Sequence, residues 1–301
     1  MSILFAATGE VDTATSEFSP SRSLGTYLGA GLLRSVDGGE TWAKPALGLV
    51  EHSGTRETNI VADEGGHPIM VVPWLDTGPG VADDQRVKAI SSEPLSGEAH
   101  TAYQDPAGPK RLVFWVSPDG FTFRKLDPQP ELVSDLKNCF DGGNTLFWSE
   151  AEQQYVLYYR WYEGQWGSGW RSMARTTSRD LLDWSESVPM TYGDTPREQF
   201  YTNNTTPYYR APHILLGFPT RYIERGWSDS MRALPELEAR RARSAIVDRY
   251  GIALTDGLFM TSRDGLSFKR WPEAFIRPGP RQRESWVYGD NFVFWGMVET
   301  K

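Results

Sequence analysis

The sequence predicts an all-β fold, a β-propeller, and three observations lead to that class. A Ser-x-Asp turn recurs four times, starting at Ser35, Ser117, Ser178 and Ser262. About 20 residues after each turn aspartate, an acidic residue opens a candidate strand. The remaining chain is rich in short β-branched and aromatic segments bounded by Gly, Pro, Asp or Ser. Such self-similarity indicates a repeat architecture of short strands, with blades as the repeating unit.

One repeat shows the strand pattern most clearly. It runs through candidate strands at Thr145–Trp148, Tyr155–Trp161 and Arg171–Arg175 to the turn at Ser178. This is the strand count of a four-stranded propeller blade. Further strands are predicted at Asn59–Val61, Ile69–Val72, Val87–Ile90 and Arg111–Val116.

The turns are further apart than the ~40–50 residues of a compact blade, so loops must be inserted. One insertion, Ser228–Tyr250, predicts a polar helix whose charges form a solvated face. The two chain ends leave the blade count open, since no inner strand is evident before Ser35 and little sequence follows Trp286–Trp295. The ends either share one blade, which gives four, or the chain is a shortened five-bladed propeller. We expect a single propeller domain over residues 1–301, either complete or incomplete at one or both ends.

Composition excludes several classes of protein. The 301 residues are 39% hydrophobic and include 12 Trp, 13 Tyr and 14 Phe, which is enough for a sizeable core. A net charge of −8 without a long basic run argues against nucleic acid or an anionic membrane surface as a partner. An acidic, aromatic-rich chain is compatible with a neutral polyhydroxylated ligand such as a carbohydrate.

Cysteine usage and the N-terminus bear on the compartment. Cys139 is the single cysteine, so neither an intramolecular disulfide nor a thiolate metal cluster can form. Met1–Ala7 lacks the basic start of a secretory signal, and no apolar run approaches the ~20 residues of a membrane helix. We expect a soluble protein compatible with the cytoplasm, although a trimmed secreted chain would have the same features.

The turn aspartates are expected to be structural. In each turn the Asp carboxylate can accept backbone N–H groups, and a following glycine supplies positive φ. We assign this role to Asp37, Asp119, Asp180 and Asp264.

The acids that open the strands are the candidate catalytic residues. In a propeller the first strand of each blade lines the central channel, so acids at its leading end converge. Glycosidic cleavage needs two carboxylates in different environments. The candidates are Glu198, Asp141, Glu57 and Glu284. The alternative for each acid is a pair with a neighbouring arginine, or a loop cap.

Nine residues are candidates for substrate binding, and the three asparagines among them recur near the edge of the candidate acids. The nine are Asn59, Asn144, Asn203, Arg160, Trp166, Trp170, Arg221, Tyr222 and Arg277. Asparagine can bind sugar hydroxyls, aromatic rings can stack on sugars, and arginine can clamp a carboxylate or a hydroxyl pair. The same residues could instead complete turns, fill the core or form salt bridges between blades. The four histidines are scattered without ligand spacing, so no cofactor or histidine metal site is expected, while a Ca²⁺ held by channel oxygens stays an alternative.

Several stretches resemble known families. The run from Ser35 to Trp42 matches the Asp-box of sialidases and other propellers. Arg56–Val61, Phe140–Trp148, Arg197–Asn203 and Phe275–Gly279 resemble five-bladed propeller glycoside hydrolases of the family 32, 43 and 130 type, and a bacterial group related to the family 32 N-terminal propeller. The resemblance implies five blades and acids at the inner-strand starts. Asp141 and Glu198 match in place and type, whereas Glu57 stands where Asp is usual. The Trp-x-Asn-Asp-Pro-Asn-Gly opening of fructan-cleaving enzymes is absent from the sequence, which argues against a fructosidase.

Three functions follow as hypotheses. The first is a glycoside hydrolase acting on an oligo- or polysaccharide, with Glu198 as general acid, Asp141 as base or nucleophile, and Glu57 or Glu284 tuning them. The second is a non-catalytic propeller that binds carbohydrate or protein. The third is a sialidase-like enzyme, which rests on the Asp-box alone.

Overall fold

The computed structural model describes residues 4–8, 31–35, 60–63, 68–70, 74–95, 109–120, 122–135, 139–140, 143–163, 169–234, 237–245, 247–277, 291, 293 and 297. The chain divides into two compact units. The first consists of residues 1–91 with 112–130, and the second of residues 92–111 with 131–301. The single domain predicted over 1–301 stays a prediction beside this division.

The N-terminal strands form a hairpin and one larger sheet. They are β1 (Leu4–Thr8), β2 (Gly31–Ser35), β3 (Ile60–Asp63), β4 (Pro68–Met70), β5 (Trp74–Leu75), β6 (Val87–Pro94), β7 (Lys110–Ser117), β8 (Thr122–Lys125) and β9 (Val133–Ser134). β1 pairs with β2, and the sheet has the order β4-β3-β8-β7-β6-β5, with β9 also on β7. β5 to β8 are therefore consecutive neighbours, as in a propeller blade, while β3 joins β8 in parallel.

The core of the first unit lies on this sheet. β7 is covered on both faces, because every residue from Leu112 to Ser117 is buried. Alternate apolar residues of β6, β7 and β8 on one face form a buried cluster. They are Val87, Ala89, Val113, Trp115 and Phe123. Beside this core, the Lys88 ammonium pairs with the Asp76 carboxylate at 2.5 Å, and both side chains are buried. A buried lysine is tolerated because its charge is paired.

The second unit begins with a four-stranded sheet. Its strands are β10 (Thr145–Ser149), β11 (Gln154–Glu163), β12 (Trp170–Ser178) and β13 (Val188–Pro189). They are antiparallel and lie in the order β10-β11-β12-β13. The blade-like repeat predicted from Thr145 to Ser178 is thereby confirmed.

A second meander follows. Its strands are β14 (Gln199–Thr202), β15 (Thr206–Tyr208), β16 (Ala211–Gly217), β17 (Thr220–Glu224), β18 (Ala253–Gly257), β19 (Met260–Ser262) and β20 (Lys269–Arg270). They form two ladders, β14-β17-β18 and β15-β16-β19-β20. Phe218 N–H donates to the Asn203 carbonyl at 3.2 Å and Leu258 N–H to the Pro219 carbonyl at 2.8 Å, so hydrogen bonds continue across the breaks. The seven short strands thus make one interrupted four-stranded meander.

One apolar cluster lies between the β10–β13 sheet, which is the first meander of this unit, and the second meander. It contains Phe147, Val156, Tyr158, Met173, Met190, Phe200, Leu215, Leu258, Met260 and Phe268, all buried. Residues of β10 to β12 therefore pack against residues of β14, β16 and β19. Sheet-on-sheet burial of this kind fixes the position of β14, whose first residue follows Glu198.

The insertion predicted as one polar helix contains two helices, α1 (Asp229–Arg232) and α2 (Leu237–Ser244), followed by a 3₁₀ turn at Asp248–Gly251. It has a small core of Met231, Leu234 and Ile252. The prediction that its charges form only a solvated face is wrong at Arg240, which is buried. The Arg240 guanidinium donates to the carbonyls of Met231, Leu234 and Gly251, which anchors α2.

Three Ser-x-Asp turns are described, and each joins the third strand of a meander to the fourth. In all three the serine hydroxyl accepts the N–H three residues later, at 2.8–2.9 Å. That residue has positive φ in each case, at Gly120, Leu181 and Gly265. The Asp180 and Asp264 carboxylates also accept backbone N–H groups. The expected structural role is confirmed for these two aspartates, while Asp37 lies outside the described residues.

The all-β class is confirmed, and the four-stranded meanders are consistent with the predicted β-propeller. The number of blades stays a prediction. In the part of the chain that the structure describes, no helix is long and apolar enough to cross a membrane.

The turn at Gly265 provides a test of this scaffold. Gly265 has φ +74°, and an added Cβ would lie 2.9 Å from the Tyr158 hydroxyl and 3.0 Å from Arg175 Nε. Gly226 has φ +65° with nothing within 4 Å. We expect Gly265→Ala to lower the free energy of unfolding by about 3 kcal/mol and Gly226→Ala by about 1 kcal/mol, because only the former adds overpacking to the backbone strain. Urea denaturation measures both, and equal losses would contradict the packing described at Gly265.

The same turn predicts a pH dependence. The N–H groups of Leu266 and Ser267 donate to the Asp264 carboxylate and hold its pKa well below the ordinary value of 3.8. Because the pKa of Asp264 is lower in the folded than in the unfolded state, its carboxylate stabilises the fold at pH values above the unfolded-state pKa. This stabilisation is lost as the pH falls through the folded-state pKa. The stability difference between wild type and Asp264→Asn should therefore be full near neutral pH and shrink below about pH 4. Denaturant unfolding across this range measures it, and a pH-independent difference would refute the account.

Candidate functional site

Strand register brings four charged residues of the second meander together. Glu198 directly precedes β14, Arg221 lies in β17, Asp256 in β18 and Arg270 in β20. Arg221 is directly opposite Asp256 in the β17–β18 ladder, where facing side chains lie on the same side of the sheet. We call these four residues the Glu198 cluster.

Arg221 bridges the two acids of the cluster. Its Nε and Nη2 donate to the two oxygens of Asp256 at 2.8 and 2.7 Å, and its Nη1 donates to Glu198 Oε1 at 2.7 Å. The hydrogen bonds to Asp256, followed by those to Glu198, raise the pKa of Arg221 above its ordinary value, although burial opposes them. Its guanidinium therefore stays charged, and the two carboxylates lie on different edges of one planar group.

Arg270 fixes the loop before β14. Its side chain is fully buried, and Nη1 donates to Glu198 Oε2 at 2.7 Å. Nη2 donates to the Pro196 carbonyl at 2.7 Å and Nε to the Thr195 hydroxyl at 3.1 Å. One buried guanidinium thus binds three groups of a four-residue loop, which limits the positions available to Glu198.

Both oxygens of Glu198 therefore accept from guanidinium groups, while 22% of its side chain still reaches solvent. Charge-assisted hydrogen bonds of this kind fix the orientation of the carboxylate. The predicted pairing of acids with arginine is present, but Glu198 pairs with Arg221 and Arg270. Its sequence neighbour Arg197 pairs with Glu163 at 2.9 Å instead.

Several predicted site residues are not placed. Asp141, Glu57, Glu284, Asn59 and Trp166 lie outside the described residues. The convergence of four acids on one axis therefore stays a prediction. Glu198 is the predicted catalytic acid whose surroundings the structure describes.

Two of the candidate substrate-binding asparagines, Asn144 and Asn203, form hydrogen bonds with the backbone. Asn144 Nδ2 donates to the Phe140 carbonyl, and Asn144 Oδ1 accepts the Arg160 N–H. Asn203 is fully buried, where it donates to the Gly143 carbonyl and accepts from Thr145 and Thr205. These contacts support the turn-completing alternative given for both residues.

Arg160 and Tyr222 belong to a stack in which two tyrosine rings lie between two guanidinium groups. The Arg160 guanidinium lies over Tyr201 at 4.7 Å, Tyr201 stacks on Tyr222 at 5.8 Å, and Arg171 lies over Tyr222 at 4.5 Å. Arg160 is fully buried and also donates to the Tyr201 carbonyl. The stack connects β11 and β12 to β14 and β17, so Arg160 has a packing role in this structure.

The remaining two candidates are on the surface. Arg277 is 61% exposed and pairs with Glu273 at 3.1 Å. Trp170 is 40% exposed, and the Arg197 guanidinium lies 5.1 Å from its ring centre. Of these two, Trp170 is connected to the Glu198 cluster, because Arg197 directly precedes Glu198.

Asp256 and Arg270 were missed from the sequence. Asp256-Gly257 has the composition of a turn, and Arg270 follows a Ser-x-Asp turn without any feature that links it to Glu198. The sequence signal that could have identified Asp256 is a charged residue within a strand segment, Ala253–Gly257. In the structure this aspartate faces Arg221 across the β17–β18 ladder.

Two further kinds of reactive group are a cluster of metal ligands and the cysteine thiol. No group of three or more His, Cys, Asp or Glu side chains within the described ranges is placed to hold a metal. Burial raises the pKa of the Cys139 thiol to about 11, which makes it a poor nucleophile at neutral pH.

Comparisons with known proteins give a likeness to solved structures. No protein-family model matches the sequence, and no curated protein matches it. An N-acetylgalactosamine deacetylase from F. plautii, in complex with blood group B trisaccharide, is similar with 12% identity and a TM-score of 0.46 over 83% of this chain and 62% of that chain. An alpha-L-arabinanase of Penicillium chrysogenum, complexed with arabinobiose, has 13% identity and a TM-score of 0.43 over 85% and 64%.

A GH32 beta-fructofuranosidase of Bombyx mori has 11% identity and a TM-score of 0.42 over 80% of this chain and 41% of that one. This chain spans less than two thirds of the length of each of the three. The likeness concerns fold alone, and it assigns neither an activity nor a substrate.

The structure predicts unequal roles for a buried arginine of the cluster, Arg270, and the exposed Arg277. Arg270→Met should lower the free energy of unfolding by about 3 kcal/mol, because it leaves Glu198 and the Pro196 carbonyl without a buried donor. Arg277→Met is the matched control, and we expect a change below about 0.5 kcal/mol because its ion pair is exposed. Denaturant unfolding compares the two variants. Equal effects would show that Arg270 does not fix the loop.

Proposed function

We propose that the chain is a glycoside hydrolase acting on an oligo- or polysaccharide, with the Glu198 cluster as part of its carboxylate centre. The observation that supports this most is Glu198 itself. Its carboxylate reaches solvent at the start of β14, and Arg221 and Arg270 fix both of its oxygens. A carboxylate held in one orientation at a strand entrance is suited to act on a bound sugar.

The contacts favour a particular role for Glu198. A general acid must present an O–H to the leaving-group oxygen, whereas both oxygens of Glu198 accept guanidinium N–H groups. We therefore propose Glu198 as the negative member of the pair, the base or nucleophile, in contrast to the general acid expected from the resemblance. The proton donor is then one of Asp141, Glu57 and Glu284.

Asp256 adds a second carboxylate on the same guanidinium. Glu198 and Asp256 bind different nitrogens of Arg221, so the two carboxylates lie on two edges of one guanidinium group. Asp256 accepts two hydrogen bonds from Arg221, so we propose that it orients Arg221 and through it Glu198. Its function is to position, and the substrate contact belongs to Glu198.

One observation favours a second candidate, a non-catalytic carbohydrate-binding propeller. Within the cluster two acids face two arginines, and the charges balance. Such a neutral network can hold a binding surface without performing chemistry. A sialidase-like activity is less well supported, since both arginines of the cluster already bind carboxylates and neither is placed as a clamp for an anionic sugar.

Glu198→Gln tests the role of Glu198 directly. We expect a loss of turnover of about 10³-fold or more on aryl glycosides, and an equal loss on dinitrophenyl glycosides, whose leaving group needs no proton. The matched control is Glu152→Gln, since Glu152 also pairs with an arginine, Arg175, but in a turn of the preceding meander. Initial rates over a panel of sugars measure both variants, and thermal unfolding checks that each is folded.

Two results would contradict the proposal in different ways. Turnover restored by the dinitrophenyl leaving group would make Glu198 the general acid. No release by the wild-type protein from any substrate, together with glycan binding, would favour the binding propeller.

A further inference from the structure

Trp170 is a large aromatic side chain at an exposed strand end. It is the first residue of β12 and is 40% exposed, whereas Met173 and Ala174 further along the strand are fully buried. Trp170 is directly opposite Glu163, the last residue of β11. An indole at this place adds little to the core formed by the rest of the strand.

The Arg197 side chain lies over the Trp170 ring through solvent-exposed contacts that a ligand can replace. Its guanidinium lies 5.1 Å from the ring centre, and its Nη2 donates to Glu163 Oε2 at 2.9 Å. The side chains of Arg197 and Glu163 are 58% and 39% exposed. Solvent-exposed ion pairs and cation–π contacts of this kind contribute little stability, so a ligand can replace them.

The chain connects this ring to the Glu198 cluster. Arg197 directly precedes Glu198, so one residue contacts Trp170 while the next is held by Arg221 and Arg270. The loop is kept in place because the buried Arg270 also binds the Pro196 carbonyl and Thr195. Two consecutive residues of one fixed loop thus contact Trp170 and the Glu198 cluster.

We propose that Trp170 is a stacking platform for a sugar ring that neighbours the ring at Glu198, with Arg197 as its displaceable cover. The C–H face of a neutral sugar packs on the indole in place of the guanidinium. Arg197 and Glu163 then stand at the edge of the platform as hydrogen-bonding groups for hydroxyls, which is the usual arrangement of an apolar floor with a few polar groups. The occupant is an oligosaccharide of at least two units, and this assignment rests on the proposed function for the place of the other ring.

Calorimetric titration with arabino-, manno- and gluco-oligosaccharides of two to six units tests the platform. We expect Trp170→Ala to weaken the binding of the oligosaccharide that the wild type binds by about tenfold, and Trp170→Phe to stay within about threefold of the wild type. The matched control is Tyr209→Ala. Tyr209 is also exposed, with Arg210 5.4 Å from its ring, but it lies between β15 and β16 at the other end of the meander. This control should leave affinity unchanged.

The outcomes separate the platform from the proposed hydrolysis. Trp170→Ala should raise KM for the oligosaccharide more than KM for a monosaccharide aryl glycoside, because the smaller substrate has no second ring. Weaker binding by Trp170→Ala in a protein without turnover supports the platform and contradicts the hydrolase. Unchanged binding by Trp170→Ala, equal losses in Tyr209→Ala, or no binding of these oligosaccharides by the wild type would overturn the platform.

Discussion

The placement of the Glu198 carboxylate between two guanidinium groups is the interaction on which the candidate site depends. Arg221 reaches it from β17 and Arg270 from β20, so one side chain ties the first strand of the meander to the second and the last. Arg270 is buried, and a buried charge is tolerated only when its hydrogen bonds are satisfied, which Glu198, Pro196 and Thr195 provide. Fold stability and the geometry of the site therefore depend on the same group.

The scaffold separates structural turns from the site. The described Ser-x-Asp turns connect the third strand of a meander to the fourth. Their serine hydroxyls or aspartate carboxylates accept hydrogen bonds from backbone N–H groups of the same turn. The start of β14, the end of β17 and the start of β18 share one end of their ladder, because neighbouring strands are antiparallel. The α1–α2 insertion leaves the ladder from that same end, and Arg240 holds it together by binding three carbonyls.

Local patterns predicted local structure well. The strands from Thr145 to Ser178 and the turns at Ser178 and Ser262 follow from residues close in sequence, where alternation and turn chemistry decide the conformation. The partners of Glu198 could not be predicted in this way. Arg221 and Asp256 lie 35 residues apart and Glu198 and Arg270 lie 72 apart, so their contacts depend on the register of a meander that contains a helical insertion. Arg197, the neighbour of Glu198 in sequence, pairs with Glu163 at the end of β11 instead.

The central claim is that Glu198 is the carboxylate that faces the reacting carbon of a bound sugar. A crystal structure of the Glu198→Gln variant with an oligosaccharide that the wild type cleaves tests this most directly. The account predicts the side-chain oxygen at position 198 either about 3–3.5 Å from the anomeric carbon, as for a nucleophile, or joined to it through one water, as for a base, with Arg221 and Arg270 still donating to that residue. A sugar bound away from the Glu198 cluster, or one whose leaving-group oxygen contacts position 198 instead, would contradict it.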